Sequence, residues 1–173
     1  MSQQNSKSAS ISFNGWGRLV VLIGLGVIVS IPVRAFMARV RDVKESPALG
    51  YVSSINKCQQ AYFAKKSVFS TPVKGLGIGI ETETTNYQYS ILTTKKATFN
   101  YGVSKQKDLR SYVGGVFVIP ATKVESNASK NKITTTSILC RADSPGTIKP
   151  PEPTNQNGKI ACATGTIELI RYY

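Results

Sequence analysis

Few groups in this chain are able to do covalent or acid–base chemistry. There are three cysteines, at positions 58, 140 and 162, and nine scattered carboxylates, of which only Glu81 and Glu83 form a close pair in the distal part of the chain. Two residues apart on a strand, those two would share one face, an arrangement that general acid–base or metal chemistry uses. No third partner stands near them, so a solvated strand or loop edge is the expected role. The chain has no histidine. That excludes Ser-His-Asp and Cys-His nucleophile pairs, histidine zinc sites and the commonest general base. The glycines at 75, 77 and 79 have the superficial spacing of a phosphate-cradling loop, but no Lys-Ser/Thr follows and no strand-to-helix setting surrounds them. They are expected to form a turn placing Leu76, Ile78 and Ile80. No catalytic, cofactor-binding or metal-binding residue, and no cofactor, is expected.

The cysteines have a structural use. Cys140 ends a strand candidate and Cys162 follows a proline-rich loop, Asp143 to Lys159, punctuated by Pro145, Gly146, Pro150, Pro151, Pro153 and Gly158. A disulfide between them closes a loop of about 23 residues and stabilises by about 3 kcal/mol in the chain-entropy account. A loop so poor in apolar residues needs such a tie. The alternative, a three-thiolate metal site, has no Cys-x-x-Cys element and is one ligand short. Cys58 is left free, expected to pack beside Ile55 and Tyr62.

These groups are carried by two dissimilar parts. Leu19 to Val33 is a run of fifteen uncharged residues between Arg18 and Arg34. As a helix it covers about 22 Å, and Trp16, Ala35 and Phe36 extend it toward the ~30 Å of a bilayer core. The arginines suit headgroup level and Trp16 an interface. The expected organisation is a polar segment over 1–18, a transmembrane helix over 19–36, a connector over 37–50 and one small globular domain over 51–173. A cleaved secretory signal is the rival, with Val33-Arg34-Ala35 a poor cleavage site. Basic residues downstream of the segment favour an inside domain by the positive-inside rule alone. The cysteines favour the outside, and they decide the expected topology.

Within the distal domain, Glu45-Ser46-Pro47 reads as a helix stop and restart, with Ser46 as cap and Pro47 at the first helical position. Tyr51, Val52, Ile55, Cys58, Tyr62 and Phe63 then form one apolar stripe of an amphipathic helix lying across a sheet. Four strands are expected at 86–93, 97–103, 111–119 and 133–141, the first two alternating as half-buried strands do. Tyr87, Tyr89, Phe99 and Tyr101 could stack nucleic-acid bases, but cross-strand packing under the helix is the plainer reading. The fold class is α+β.

The chain carries 22 basic and 9 acidic residues, a formal charge of +13, of which +9 lies from Tyr51 onward. That field attracts DNA, anionic lipid or acidic polysaccharide, and Lys95, Lys96, Lys105, Lys107 and Arg110 are the candidate contacts. Its plainer role is solubility and repulsion between copies.

Several segments together resemble the globular region of cyanobacterial type IV pilin-like proteins, the general-secretion-pathway pseudopilins of the H or G type. They are YVSSINKCQQAYF from Tyr51, GLGIGIETE from Gly75, NYQYSI from Asn86, SYVGGVFV from Ser111, and ILCRADSPGT with the later Cys162. The resemblance implies a long N-terminal helix on an antiparallel sheet of about four strands, a terminal disulfide loop closed by Cys140 and Cys162, and no enzymatic activity. It implies other pilin-like subunits or pilus and secretion machinery as partners. It also implies assembly of hydrophobic stems into a surface filament; the apolar segment and the cysteines set the expected location, the inner membrane with the domain on the periplasmic or extracellular side. The similarity does not extend to the N-terminus. Pro32 matches the stem proline, but Gly15 stands where the stem glutamate would, and Asp42 is the first acid of the chain. A minor or accessory subunit fits that pattern better than a major one.

Overall fold

The computed structural model describes residues 15–77, 79, 81–129 and 132–172, with residues 15–32, 34 and 170–172 described by backbone alone. One helix, α1 (Gly15–Lys66), is followed by β1 (Tyr87–Thr93), β2 (Ala97–Ser104), β3 (Tyr112–Pro120), β4 (Ile133–Ala142), β5 (Thr154–Gln156), β6 (Lys159–Ala161) and β7 (Thr166–Tyr172). The chain divides into two compact units, Met1–Val40 and Arg41–Tyr173. In the first, α1 exposes Val33, Phe36 and Met37 by 55, 66 and 55%. Among the described residues no helix is long and apolar enough to cross a membrane. Apart from Val33, the side chains of the expected span from Leu19 to Val33 lie outside that description.

In the second unit β1 to β4 form an antiparallel meander, and β7 adds a fifth strand beside β4, giving the order β1-β2-β3-β4-β7. The sheet therefore has one strand more than expected. The loop between Cys140 and Cys162 also contains a two-stranded hairpin, β5–β6, turning on Asn157 and Gly158, both at positive φ. An Asn-Gly pair suits such a turn because both central residues need left-handed backbone.

Two helices separated at Pro47 were expected; α1 runs through that point unbroken. Pro47 removes one backbone hydrogen bond, to the carbonyl of Val43, but Val43 is 73% exposed, so that carbonyl is on a side open to water. Glu45 and Ala48, on either side of the proline, are both buried. That shared burial holds the two turns in line. The helix ends after Lys66: Ser67 takes φ 58° and its N–H donates to Phe63 O at 2.8 Å, an αL cap, with Lys65 and Lys66 in the last turn favoured by the helix dipole.

The buried face of α1 comprises Glu45, Ala48, Val52, Ile55, Asn56, Gln59 and Phe63. Of the expected stripe, Val52, Ile55 and Phe63 are buried, while Tyr51, Cys58 and Tyr62 are only partly so. The face is rotated because polar side chains occupy its middle. Asn56 Nδ2 donates to Ile138 O at 3.1 Å, and Asn56 Oδ1 accepts from Asn100 Nδ2 at 2.8 Å. Gln59 donates to Ser70 O at 2.7 Å and accepts from Ser70 N–H at 2.9 Å, tying down the segment after the helix. Gln60 Nε2 reaches Thr135 O at 3.3 Å, and Gln60 Oε1 accepts from Ser137 Oγ at 3.2 Å. A buried amide without partners costs on the order of 1–3 kcal/mol, so these contacts fix the position of the helix as well as its face.

Strand β1 alternates as expected, but β2 and β3 are buried almost continuously. Their helix-side residues meet Val52 and Asn56. On the opposite face Ala97, Phe99, Tyr101, Val113, Phe117, Ile138 and Cys140 form a second core with Ile160 from β6. The half-buried reading of β2 fails because the C-terminal loop covers its outer face.

Gly114 lies directly under Asn56: a Cβ built there would stand 2.1 Å from Asn56 Oδ1. Gly114→Ala should therefore displace Asn56 and lower stability by about 2 kcal/mol, as overpacking does, read as a drop in the thermal midpoint of the purified protein. An unchanged midpoint would show that the helix does not rest on this glycine.

Candidate functional site

The outer face of the sheet is closed by the segment between two cysteines. Cys140, at the end of β4, is bonded to Cys162 with Cα atoms 5.8 Å apart, as expected from the sequence. The loop between them lies against the outer core through Pro153 and Ile160, both buried. A Cβ on Gly115 would come within 3.3 Å of Pro153, so this glycine makes room for the loop. Two polar contacts centre on Tyr101. Its hydroxyl donates to Glu152 Oε1 at 2.9 Å, and Lys149 Nζ stands 3.8 Å from its ring centroid. A cation over a tyrosine face contributes roughly 0.5–1 kcal/mol at a partly exposed site. The root of the loop borders a shallow cavity of about 350 Å³, lined among others by Asp143, Pro145, Ile148 and Lys149. Ile148 is 82% exposed there.

That root is tied to helix α1 through one buried carboxylate. Glu45, only 3% exposed, accepts from Arg110 N–H at 2.9 Å through Oε1 and from Tyr112 Oη at 3.0 Å through Oε2. Arg110 Nη1 lies 3.8 Å from the same carboxylate. The β2–β3 connection, which supplies the Arg110 donors, also grips the loop. Gly146 N–H donates to Leu109 O at 2.9 Å, Arg110 Nε to Asp143 O at 3.3 Å, and Ala142 N–H to Ser111 O at 2.9 Å. Tyr87 Oη donates to Arg110 O at 2.9 Å. The chain of contacts runs from α1 through Arg110 to the start of the disulfide loop.

Four tyrosines in these two cores are held neutral. Burial pushes Tyr87, Tyr101 and Tyr112 well above the ordinary phenol range; neighbouring Glu45 adds to it at Tyr87 and Tyr112, and Glu152 at Tyr101. Burial pushes Tyr89 up to about 12.

The structure distributes the candidate residues as follows. Lys105, Lys107 and Arg110 lie in the β2–β3 connection, while Lys95 and Lys96 lie in the β1–β2 turn at the other end of β2. The five are thus divided by the length of a strand, about 26 Å for eight residues, and make no single patch. Lys105 pairs with Glu83, and Arg110 is taken up by Glu45 and Asp143. Glu81 and Glu83 are exposed. Among the described residues no cluster of cysteine and carboxylate groups could hold a metal ion.

The candidate stacking aromatics are core residues, Tyr87 and Tyr89 on the helix side and Phe99 and Tyr101 on the outer side. Of the expected turn, residues 73–76 form a short 3-10 helix, with Gly77 and Gly79 at φ 64°. Leu76 packs beside Ile55 and Val73, and Ile78 and Ile80 lie outside the described residues. Cys58 is free but only partly buried, bordering a small cavity with Ala61, Tyr62, Lys65 and Leu76; burial raises its thiol pKa. Sequence reasoning missed Glu45, treated as part of a helix stop. The signal available was its spacing of three and seven residues from Ala48 and Val52 on one helical face.

Residues 45–163 match the sequence model of the family described as Type IV pilin-like G and H. No curated protein and no solved structure matches the chain. The matched span opens at Glu45 and closes one residue beyond Cys162, so it takes in both ends of the contact chain described above.

Two outcomes follow from this geometry. Replacing Cys140 and Cys162 together by serine should cost about 3 kcal/mol of stability and free the β5–β6 hairpin to limited proteolysis, while the Cys58→Ser protein stays resistant. Equal resistance in both would show that the disulfide does not hold the loop. The raised tyrosines bind protons more tightly folded than unfolded, so their contribution is complete below about pH 10 and is lost as pH rises toward 12. Absorbance titration should show these four of the eight tyrosines ionising late, in a step coincident with loss of secondary structure. Eight independent ionisations near pH 10 would contradict their burial.

Proposed function

Since this chain belongs to the type IV pilin-like G and H family, we propose that it is a non-enzymatic, membrane-anchored minor or accessory subunit of a type IV pilus or type II secretion-like apparatus. Membership implies association with the envelope and with other pilin-like subunits. The observation that carries the reading is the coincidence of the matched span with a helix laid on an antiparallel sheet and a disulfide-closed loop covering the other face. The anchor is Leu19 to Val33, an uncharged run within the continuous helix α1. The exposed Val33, Phe36 and Met37 stand three and four residues apart, so they share one apolar face at the end of that run. Such a face suits lipid or the helices of partner subunits. The Cys140–Cys162 bond supports an oxidising compartment, hence a domain on the periplasmic or extracellular side. A chain without histidine lacks the commonest general base, in keeping with a structural role.

Fractionation tests this reading. The full chain should stay with membranes after carbonate extraction, and protease added from outside should degrade the part beyond Arg41. A carbonate-soluble protein, or a domain protected until the membrane is breached, would contradict it.

A further inference from the structure

One phenol of the helix-side core is buried with nothing to bond. Tyr89 is 3% exposed, yet its Oη has no hydrogen-bond partner; among the described residues Arg141 Nε is the other buried side-chain atom in that state. A group so placed has given up water and gained nothing, which folded interiors rarely tolerate. The neighbouring Tyr87 and Tyr112 differ, since Tyr87 Oη donates to Arg110 O and Tyr112 Oη to Glu45. Thr84, the hydroxyl nearest in effect to Tyr89, is taken by Tyr87, whose N–H it accepts at 3.1 Å and whose carbonyl it meets at 3.3 Å.

Tyr89 lines a cleft of about 180 Å³. One wall is α1, where Lys44, Pro47 and Tyr51 stand three and four residues apart on one face. The other wall is the segment before β1, residues 84–86. Backbone bonds hold that wall in place: Thr84 N–H to Tyr87 O at 2.7 Å, Tyr89 N–H to Thr82 O at 2.8 Å and Lys105 N–H to Asn86 O at 2.8 Å. The cleft is therefore built by the main chain and does not depend on its lining side chains to stay open. Lys44 brings an ammonium to it, Thr85 a hydroxyl and Asn86 an amide, and among the described residues no carboxylate lines it. Glu45, next to Lys44, is turned to Arg110 and Tyr112 instead. Burial keeps the Tyr89 phenol protonated, so it too stands as a donor.

We propose that this cleft binds a single phosphate group, with Tyr89 Oη and Lys44 Nζ as its principal donors. The proposal is independent of the assembly role given above. Donors and one positive charge with no negative charge beside them select an anion. Lysine meets phosphate as a compact point charge, and hydrogen bonds to an ionised acceptor are the strong ones. A phosphate has acceptor oxygens in tetrahedral directions, so donors on facing walls reach it together. The cleft's small volume admits one such group with a short moiety attached, and no polymer. A lipid headgroup and a free phosphate share that chemistry.

The test is a phosphorus NMR titration of inorganic phosphate with the purified full chain, at constant ionic strength made up with chloride. Saturable binding is expected, and Tyr89→Phe and Lys44→Gln should each weaken it about tenfold, as loss of one bond to a charged group does. Lys66→Gln, an exposed lysine at the far end of α1, should change it less than about twofold. Without phosphate the thermal midpoint of Tyr89→Phe should equal or exceed that of the unaltered protein, because the hydroxyl it removes bonds to nothing in the fold. A soluble short-chain phosphatidic acid that displaces the phosphate identifies a headgroup site; one that does not identifies a soluble phosphate, and either result supports the proposal. No saturable binding, undiminished binding by Tyr89→Phe, a lower phosphate-free midpoint in that variant, or displacement by acetate at equal concentration would each overturn it.

Discussion

A single carboxylate taken out of water sets the constraints on the globular unit. Glu45 is nearly inaccessible, and a charge so placed is costly by several kcal/mol unless its oxygens are fully engaged. Its two oxygens take a backbone amide and a phenol from the β2–β3 connection and the first residue of β3. The helix can therefore neither slide along the sheet nor rotate on it without stranding that charge. The same requirement accounts for a helix that passes through Pro47 unbroken, because the residues flanking the proline are both held down. It also anchors the connection that grips Asp143 and Gly146, so the position of the disulfide loop is linked to that of the helix.

The second constraint is that a sheet with a helix on one face leaves the other face apolar. Among the described residues no second α-helix covers it. The sequence meets the need with a proline-rich loop that has few apolar side chains of its own, and so must be fastened. Ile160 and Pro153 cover the core, Tyr101 engages Glu152 and Lys149, and the Cys140–Cys162 bond closes the circuit. The loop is thereby a fixed surface rather than a tether, and it presents the exposed Ile148 and the cavity beside it to solvent.

Much of this was legible in the sequence because it rests on local periodicity. Strands β1 to β4 are bounded by short polar turns and rich in aromatic and β-branched residues, and the structure places them within a residue or so of expectation. The disulfide was legible from a strand end and a loop in need of a tie. What escaped depends on groups distant in sequence. The stripe on α1 was read from apolar residues alone, so Asn56, Gln59 and Glu45, buried because the sheet and loops supply partners, were invisible to it. The double burial of β2 comes from a loop some fifty residues downstream. The five candidate basic contacts were joined from neighbouring stretches of sequence, and the structure sets them at the two ends of β2, since pairing register, not sequence proximity, decides which turns are neighbours. The Glu45 stop was the reverse error: proline chemistry is local, and tertiary burial overrode it.

Hydrogen exchange read by mass spectrometry on the Glu45→Ala protein probes the central link most directly. If Glu45 holds helix, connection and loop root together, exchange should accelerate in residues 106–111 and in 142–147 alike, while the paired centres of β2 and β3 stay protected. Acceleration confined to the helix around position 45, with the loop root as slow as in the unaltered protein, would contradict the account.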